Sequence, residues 1–144
     1  MHITLEADYA VRIVTCIANS DKRLDAKTIS AQTSVTIRFA LKILRKLVSS
    51  GIVKSFKGNS GGYELAKPPS EITLRAVIET VEGTYCFSRC LNDEEQYTCN
   101  RTCDGKCAYQ KAFHDISETV RDKMEQYTFD MFLNNKTECI RHND

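Results

Sequence analysis

Thirty-eight consecutive residues, 26 to 63, contain no aspartate or glutamate, yet Lys27, Arg38, Lys42, Arg45, Lys46, Lys54 and Lys57 all fall within them. Scattered solvated charges would mix signs over such a length, whereas a surface built to meet a polyanion would not. The bias runs through the whole front of the chain. Residues 1–70 carry 11 Lys+Arg against 5 Asp+Glu, a net of +6, and residues 71–144 carry 9 against 14, a net of −5. The overall charge of +1 hides a basic half joined to an acidic one.

Hydrophobic periodicity says what that basic half folds into. Ala7, Ala10, Val11, Val14, Ile17 and Ala18 recur at helical spacing and predict a helix over Leu5–Asn19. A short helix fits Ala26–Gln32 with Asp25 as its N-cap. After a tight connection at Thr33–Val35, Thr36 is placed to cap a third helix running to Ser50, and Gly51 to end it. On that helix Ile37, Ala40, Leu41, Leu44, Leu47 and Val48 share one side; Arg38, Lys42, Arg45 and Ser49 share the other. Ile52–Phe56 and Tyr63–Ala66, joined by a glycine-rich turn, read as a β-hairpin. Thr73 and Gly83 bound a short helix over Leu74–Glu82.

A long helix is predicted over Ala108–Leu133, where Phe113, Ile116, Val120, Met124, Tyr127 and Met131 form a narrow seam of coiled-coil type. The expected fold class is mainly α with a small β-hairpin wing: a winged helix-turn-helix domain plus a long C-terminal dimerisation helix. The expected division is 1–70 for DNA binding, 71–107 for a connecting helix and cysteine-rich loop, 108–134 for dimerisation and 135–144 for a flexible tail.

A helix of this kind fits the major groove, and a stripe without carboxylates meets no phosphate repulsion. Thr36 and the helix N-terminus suit a backbone phosphate. Arg38 and Lys42 fall in the first two turns, where base edges are reached; Arg45 and Lys46 lie farther along, toward backbone. Lys57 stands at the hairpin tip, near an adjacent minor groove or phosphate. No apolar run approaches the roughly 20 residues of a membrane span, and the first ten residues do not read as a signal peptide, so a cytoplasmic location is expected. Only His2, His114 and His142 are present, none in a nucleophile motif, and no phosphate-binding glycine loop occurs, so an enzyme is not expected.

Seven cysteines stand at positions 16, 86, 90, 99, 103, 107 and 139, five of them spaced Cys86-x3-Cys90-x8-Cys99-x3-Cys103-x3-Cys107. An odd count in a chain expected to be cytoplasmic points to metal or redox chemistry rather than a disulfide framework. Thiolates are soft ligands for iron–sulfur clusters, zinc or Cu(I), and Arg89, Arg101 and Lys106 beside them favour the thiolate form. Three chemistries stay open: an iron–sulfur cluster, a structural zinc with four cysteine ligands, and a metal-free thiol/disulfide switch. Outside regulation, a cluster-containing electron-transfer protein is the alternative, and it leaves the acid-free helix and hairpin without a purpose.

The segment Leu44–Lys67, LRKLVSSGIVKSFKGNSGGYELAK, resembles the recognition-helix end and wing of the IscR/NsrR/CymR-type winged helix-turn-helix transcription regulators. The stretches ITLEADYAVRIV and EITLRAVIETVEG are similar to the same family, and the resemblance covers about Met1–Leu133. It implies a homodimer paired through the C-terminal helix, a pseudo-palindromic double-stranded DNA operator, a repressor, and a 2Fe–2S or 4Fe–4S cluster that responds to iron, redox or nitric oxide state. Thr36, Arg38, Phe39 and Lys42 match the family's DNA-contacting start of the recognition helix. Lys57 matches a wing position that is often Arg, and its ammonium acts more as a point charge than a fork. Cys90 and Cys107 match the first and last of three cluster cysteines; the middle ligand falls on Cys99 or Cys103, and all four together also make a set. Asp8 matches a carboxylate that some members lend from the partner's first helix. His114 lies one turn beyond the position of the alternative His ligand, Cys86 is undecided, and Cys16 and Cys139 read as bystanders.

Overall fold

The computed structural model describes residues 2–92, 99–100 and 107–133. Helix α1, Leu5–Ala18, begins where Thr4, in extended backbone, accepts the Ala7 N–H on its hydroxyl at 3.2 Å. It buries Ala7, Ala10, Ile13, Val14 and Ile17. Asp25 caps α2, Ala26–Thr33, by accepting the Thr28 N–H at 2.7 Å, and that bond holds its carboxyl below the usual carboxylate range. Ser34 then turns the chain in the left-handed region at φ 57°, a conformation few non-glycine residues adopt. Helix α3, Ile37–Ser49, follows and buries Ala40, Ile43, Leu44 and Leu47 against α1 and α2.

Strands β1, Val53–Phe56, and β2, Gly62–Leu65, pair antiparallel with Val53 opposite Leu65 and Phe56 opposite Gly62. The hairpin is fastened to the domain by Leu24, whose N–H and carbonyl exchange bonds with Tyr63 at 3.1 and 2.8 Å. That close approach requires Gly62: its φ is +131°, and a Cβ there would lie 2.8 Å from the Leu24 carbonyl oxygen. A 3-10 turn at Pro69–Glu71 leads to α4, Leu74–Glu82, capped by Thr73, which packs Val77, Ile78 and Val81 into the same core across from α1. The fold class is the one expected, mostly helical with a two-stranded antiparallel wing.

The helix expected over Ala108–Leu133 is not continuous. Helix α5 spans Ala108–Glu125, and a separate short α6 spans Asp130–Leu133. Between them tertiary bonds displace the next helical turn. The Tyr127 carbonyl accepts the Leu74 N–H at 2.8 Å, and the Phe129 N–H donates to the carbonyls of Pro69 and Ile72 at 3.1 and 3.0 Å. Phe129 is driven fully into the core, which outweighs the few helical bonds lost. Phe113, Ile116, Val120 and Met124 lie on α5; Tyr127 and Met131 fall beyond Glu125. Phe129→Ala should therefore destabilise the protein by about 3–5 kcal/mol, lowering the thermal midpoint by on the order of 10 °C. An unchanged midpoint in calorimetry would mean that this anchor contributes nothing.

Candidate nucleic-acid interface and cysteine segment

The exposed side of α3 carries Arg38, Phe39, Lys42 and Arg45, which line one shallow groove with Leu41. Thr36 holds the N-cap position with φ −59° and ψ 145°, but its hydroxyl makes no capping bond, contrary to the expected cap. The first-turn N–H groups, which have no acceptor within the helix, are left toward solvent beside an exposed hydroxyl. A helix start of that kind can receive a phosphate oxygen. Phe39 is 44% exposed and is steadied from below by Tyr9 of α1, edge to face with ring centroids 6.1 Å apart. Lys57 is exposed at the wing tip.

Two basic residues of α3 have a partner that the sequence did not reveal. Glu6, reaching up from α1, accepts Lys42 Nζ at 2.9 Å on one carboxylate oxygen and Lys46 Nζ at 2.7 Å on the other. Lys46 also donates to the Val81 carbonyl, in the last turn of α4, at 2.9 Å. Glu82, next in the chain, accepts the Thr4 N–H at 2.9 Å and its hydroxyl. Lys46 thus serves as an internal strut, and the stripe read as carboxylate-free in the sequence acquires one from another helix. Among the described residues neither Arg38 nor Arg45 has an ion-pair partner.

The wing has a support that no sequence signal pointed to. Arg23 stacks its guanidinium 3.4 Å above the Phe56 ring centre, donates to Glu64 at 3.1 Å and reaches the Ser60 carbonyl at 3.3 Å. It joins both strands to the turn that carries Lys57.

Of the candidate ligands, Cys90 lies in a 3-10 turn, Arg89–Leu91, tied to the first turns of α5 by Gln110 Nε2 donating to the Cys90 carbonyl at 3.4 Å. Cys107 immediately precedes α5, and both are partly buried. Cys99 is exposed, and Cys103 and Cys139 lie outside the described residues. Among the described residues no three His, Cys, Asp or Glu side chains come together as a metal site. A cavity of about 440 Å³ between the 3-10 turn and α5 is lined by Cys86, Cys90, Gln110, His114 and Arg121, among others. Arg121 pairs with Glu118, while its buried Nε has no hydrogen-bond partner among the described residues. Asp8 is engaged by Arg12 of its own helix at 2.6 Å. Cys16 donates to Gln32 at 3.1 Å, and burial pushes its thiol up.

The family described as Rrf2, iron-dependent transcriptional regulator, matches residues 3–135. The chain belongs to the Rrf2 family. Among its relatives is the transcriptional regulator NsrR of Halalkalibacterium halodurans, 28% identical over 96% of this chain and 94% of that one. The regulator IscR of Pectobacterium atrosepticum is 26% identical over 94% of this chain and 81% of its own length. The solved structure of CymR, the global cysteine regulator of B. subtilis, superposes with a TM-score of 0.71 at 20% identity, covering 92% of this chain and 96% of that one. The resemblance read from the wing and flanking segments holds, and with it a place among DNA-binding transcriptional regulators. Among the described residues no helix is long and apolar enough to cross a membrane.

In this Rrf2-family chain the Glu6 pairing sets a pH dependence. Partial burial raises the Glu6 carboxyl, but the hydrogen bonds and charges of Lys42 and Lys46 together outweigh it, leaving the group below its ordinary value of 4.5. A carboxyl lowered on folding contributes stability that is complete above the unfolded value and lost as pH falls through the folded one. Glu6→Gln should flatten the acid limb of the urea midpoint plotted against pH; coincident limbs would show that the pair does not contribute.

Proposed function

We propose that this Rrf2-family protein is a homodimeric transcriptional repressor that reports iron, redox or nitric oxide state through an iron–sulfur cluster. The observation that carries the DNA-binding part is the uncapped, exposed start of α3 beside Arg38, Arg45 and the Arg23-braced wing. Thr36 and the first-turn N–H groups hold a phosphate, Arg38 and Phe39 address base edges, Lys42 lies beside them in the same groove, and Arg45 and Lys57 hold flanking backbone. Residues 1–70 act as the DNA-binding domain, 71–107 as connector and sensor loop, 108–134 as the dimerisation segment, and 135–144 as a tail.

Pairing of two copies is supported by α5, whose only fully buried side chain is Ser117, while Tyr109 and Ile116 are 63% and 40% exposed. In the sensor segment Cys90, Cys99, Cys103 and Cys107 are the ligands, with Asp8 of the second copy as an added candidate. The residues fit an anionic sulfur-ligated group: Cys90 opens on a cavity that also holds the cationic Arg121, whose buried Nε–H has no acceptor among the described residues. Bound there, the cluster supplies electron exchange and open chemistry toward small oxidants. The protein's own part is to turn ligation at the cysteines into a fixed spacing of two recognition helices. A coupling of about 1–3 kcal/mol changes operator affinity roughly 5–150-fold.

Anaerobically prepared protein should contain iron and acid-labile sulfide, and Cys90→Ala and Cys107→Ala should each lose both. Zinc without sulfide, or no metal with a reversible disulfide, would replace the cluster by one of those chemistries. Arg38→Ala should weaken operator binding by about 1–3 kcal/mol and relax sequence preference, whereas Lys57→Ala should weaken all duplexes alike and lower the salt slope by about 1. If Arg38→Ala and wild type bind operator and mixed sequence with equal ratios, the recognition face has been misplaced.

A further inference from the structure

Of the four cations on α3, two share one carboxylate. Lys42 is 54% exposed and faces the groove, yet its ammonium is 2.9 Å from Glu6, whose side chain is 21% exposed. A phosphate approaching Lys42 must either displace that carboxylate or meet an ammonium already neutralised, with a second negative charge close behind it. Lys46 offers no such choice, because the Val81 carbonyl holds it in place together with Glu6. The arrangement is asymmetric: Glu6 is fixed by the strut lysine and lends its other oxygen to the groove lysine.

We infer that Glu6 is an affinity-setting residue that withholds Lys42 from the DNA backbone, so that Arg38 and Arg45 carry the electrostatic grip of the recognition helix. Freed of Glu6, Lys42 adds a phosphate contact that does not depend on sequence. The carboxylate therefore lowers binding to any duplex while leaving base readout to the helix start. This rests on the DNA-binding reading above, and deepens it by naming the residue that limits non-specific affinity.

The test is a salt titration of binding to a mixed-sequence duplex by wild type, Glu6→Gln, Lys42→Met, the double variant and Lys46→Met. Each phosphate neutralised contributes about 0.9 to the slope of log affinity against log salt. Glu6→Gln, nearly isosteric, should bind roughly two- to fivefold tighter, the range of a partly exposed ion pair, with a slope steeper by about 0.9. The double variant should return to the wild-type slope. Lys42→Met alone should leave the slope nearly unchanged, and Lys46→Met should lower stability without altering it. A Glu6→Gln slope equal to wild type, or a Lys42→Met loss equally large with and without Glu6, overturns the inference while leaving DNA binding intact. Wild type that binds no duplex at any salt removes the DNA-binding reading itself, and this one with it.

Discussion

The Lys46 ammonium, held at once by a carboxylate of α1 and the last-turn carbonyl of α4, ties together three helices that also share one apolar core. A helix C-terminus is the negative end of its dipole, so a lysine is the natural partner there. Its geometry is enforced from the other side by Glu82 accepting from Thr4. The start of α1, the middle of the recognition helix and the end of α4 are thereby one polar cluster. Cys86 follows only four residues after Glu82. The chain therefore leaves α4 for the cysteine segment just after a carbonyl bonded to α3, with Gly83, Thr84 and Tyr85 between Glu82 and Cys86.

That connection explains an economy in the design. A regulator must hold its reading helix stiffly enough to discriminate bases, yet let a distant event reorient it. Apolar packing by Ala40, Ile43, Leu44 and Leu47 supplies stiffness without direction. Hydrogen bonds from Lys46 supply direction, because they weaken steeply with angle and distance.

Local rules made much of the fold legible. The caps at Asp25 and Thr73 and the stop at Gly83 each act within four residues, so their chemistry is written next to the structure it controls. The exposed basic side of α3 was legible for the same reason: Arg38, Phe39 and Arg45 take their direction from the helix alone. Glu6 was not, since it reaches Lys42 and Lys46 across 36 and 40 residues, and nothing in a one-dimensional charge count reveals a carboxylate arriving from another helix. The break after Glu125 was hidden likewise. The 108–133 pattern is helical throughout, and its interruption depends on carbonyls at Pro69 and Ile72, more than fifty residues earlier. Arg23 left no signal at all, because its partners are a ring, a carboxylate and a carbonyl on the two strands and their turn.

The return of the chain at Phe129 changes how α5 can behave. Its first turns are bonded to the Cys90 turn, and its far end is pinned to the Pro69–Leu74 strip. A rod fastened at both ends does not swing like a lever; it twists about its own axis or bows. A small twist would carry Tyr109 and Ile116 around together, altering the angle at which a second rod could lie along it. Motion at the Cys90 end would then emerge along the exposed side of α5 as rotation, with little translation.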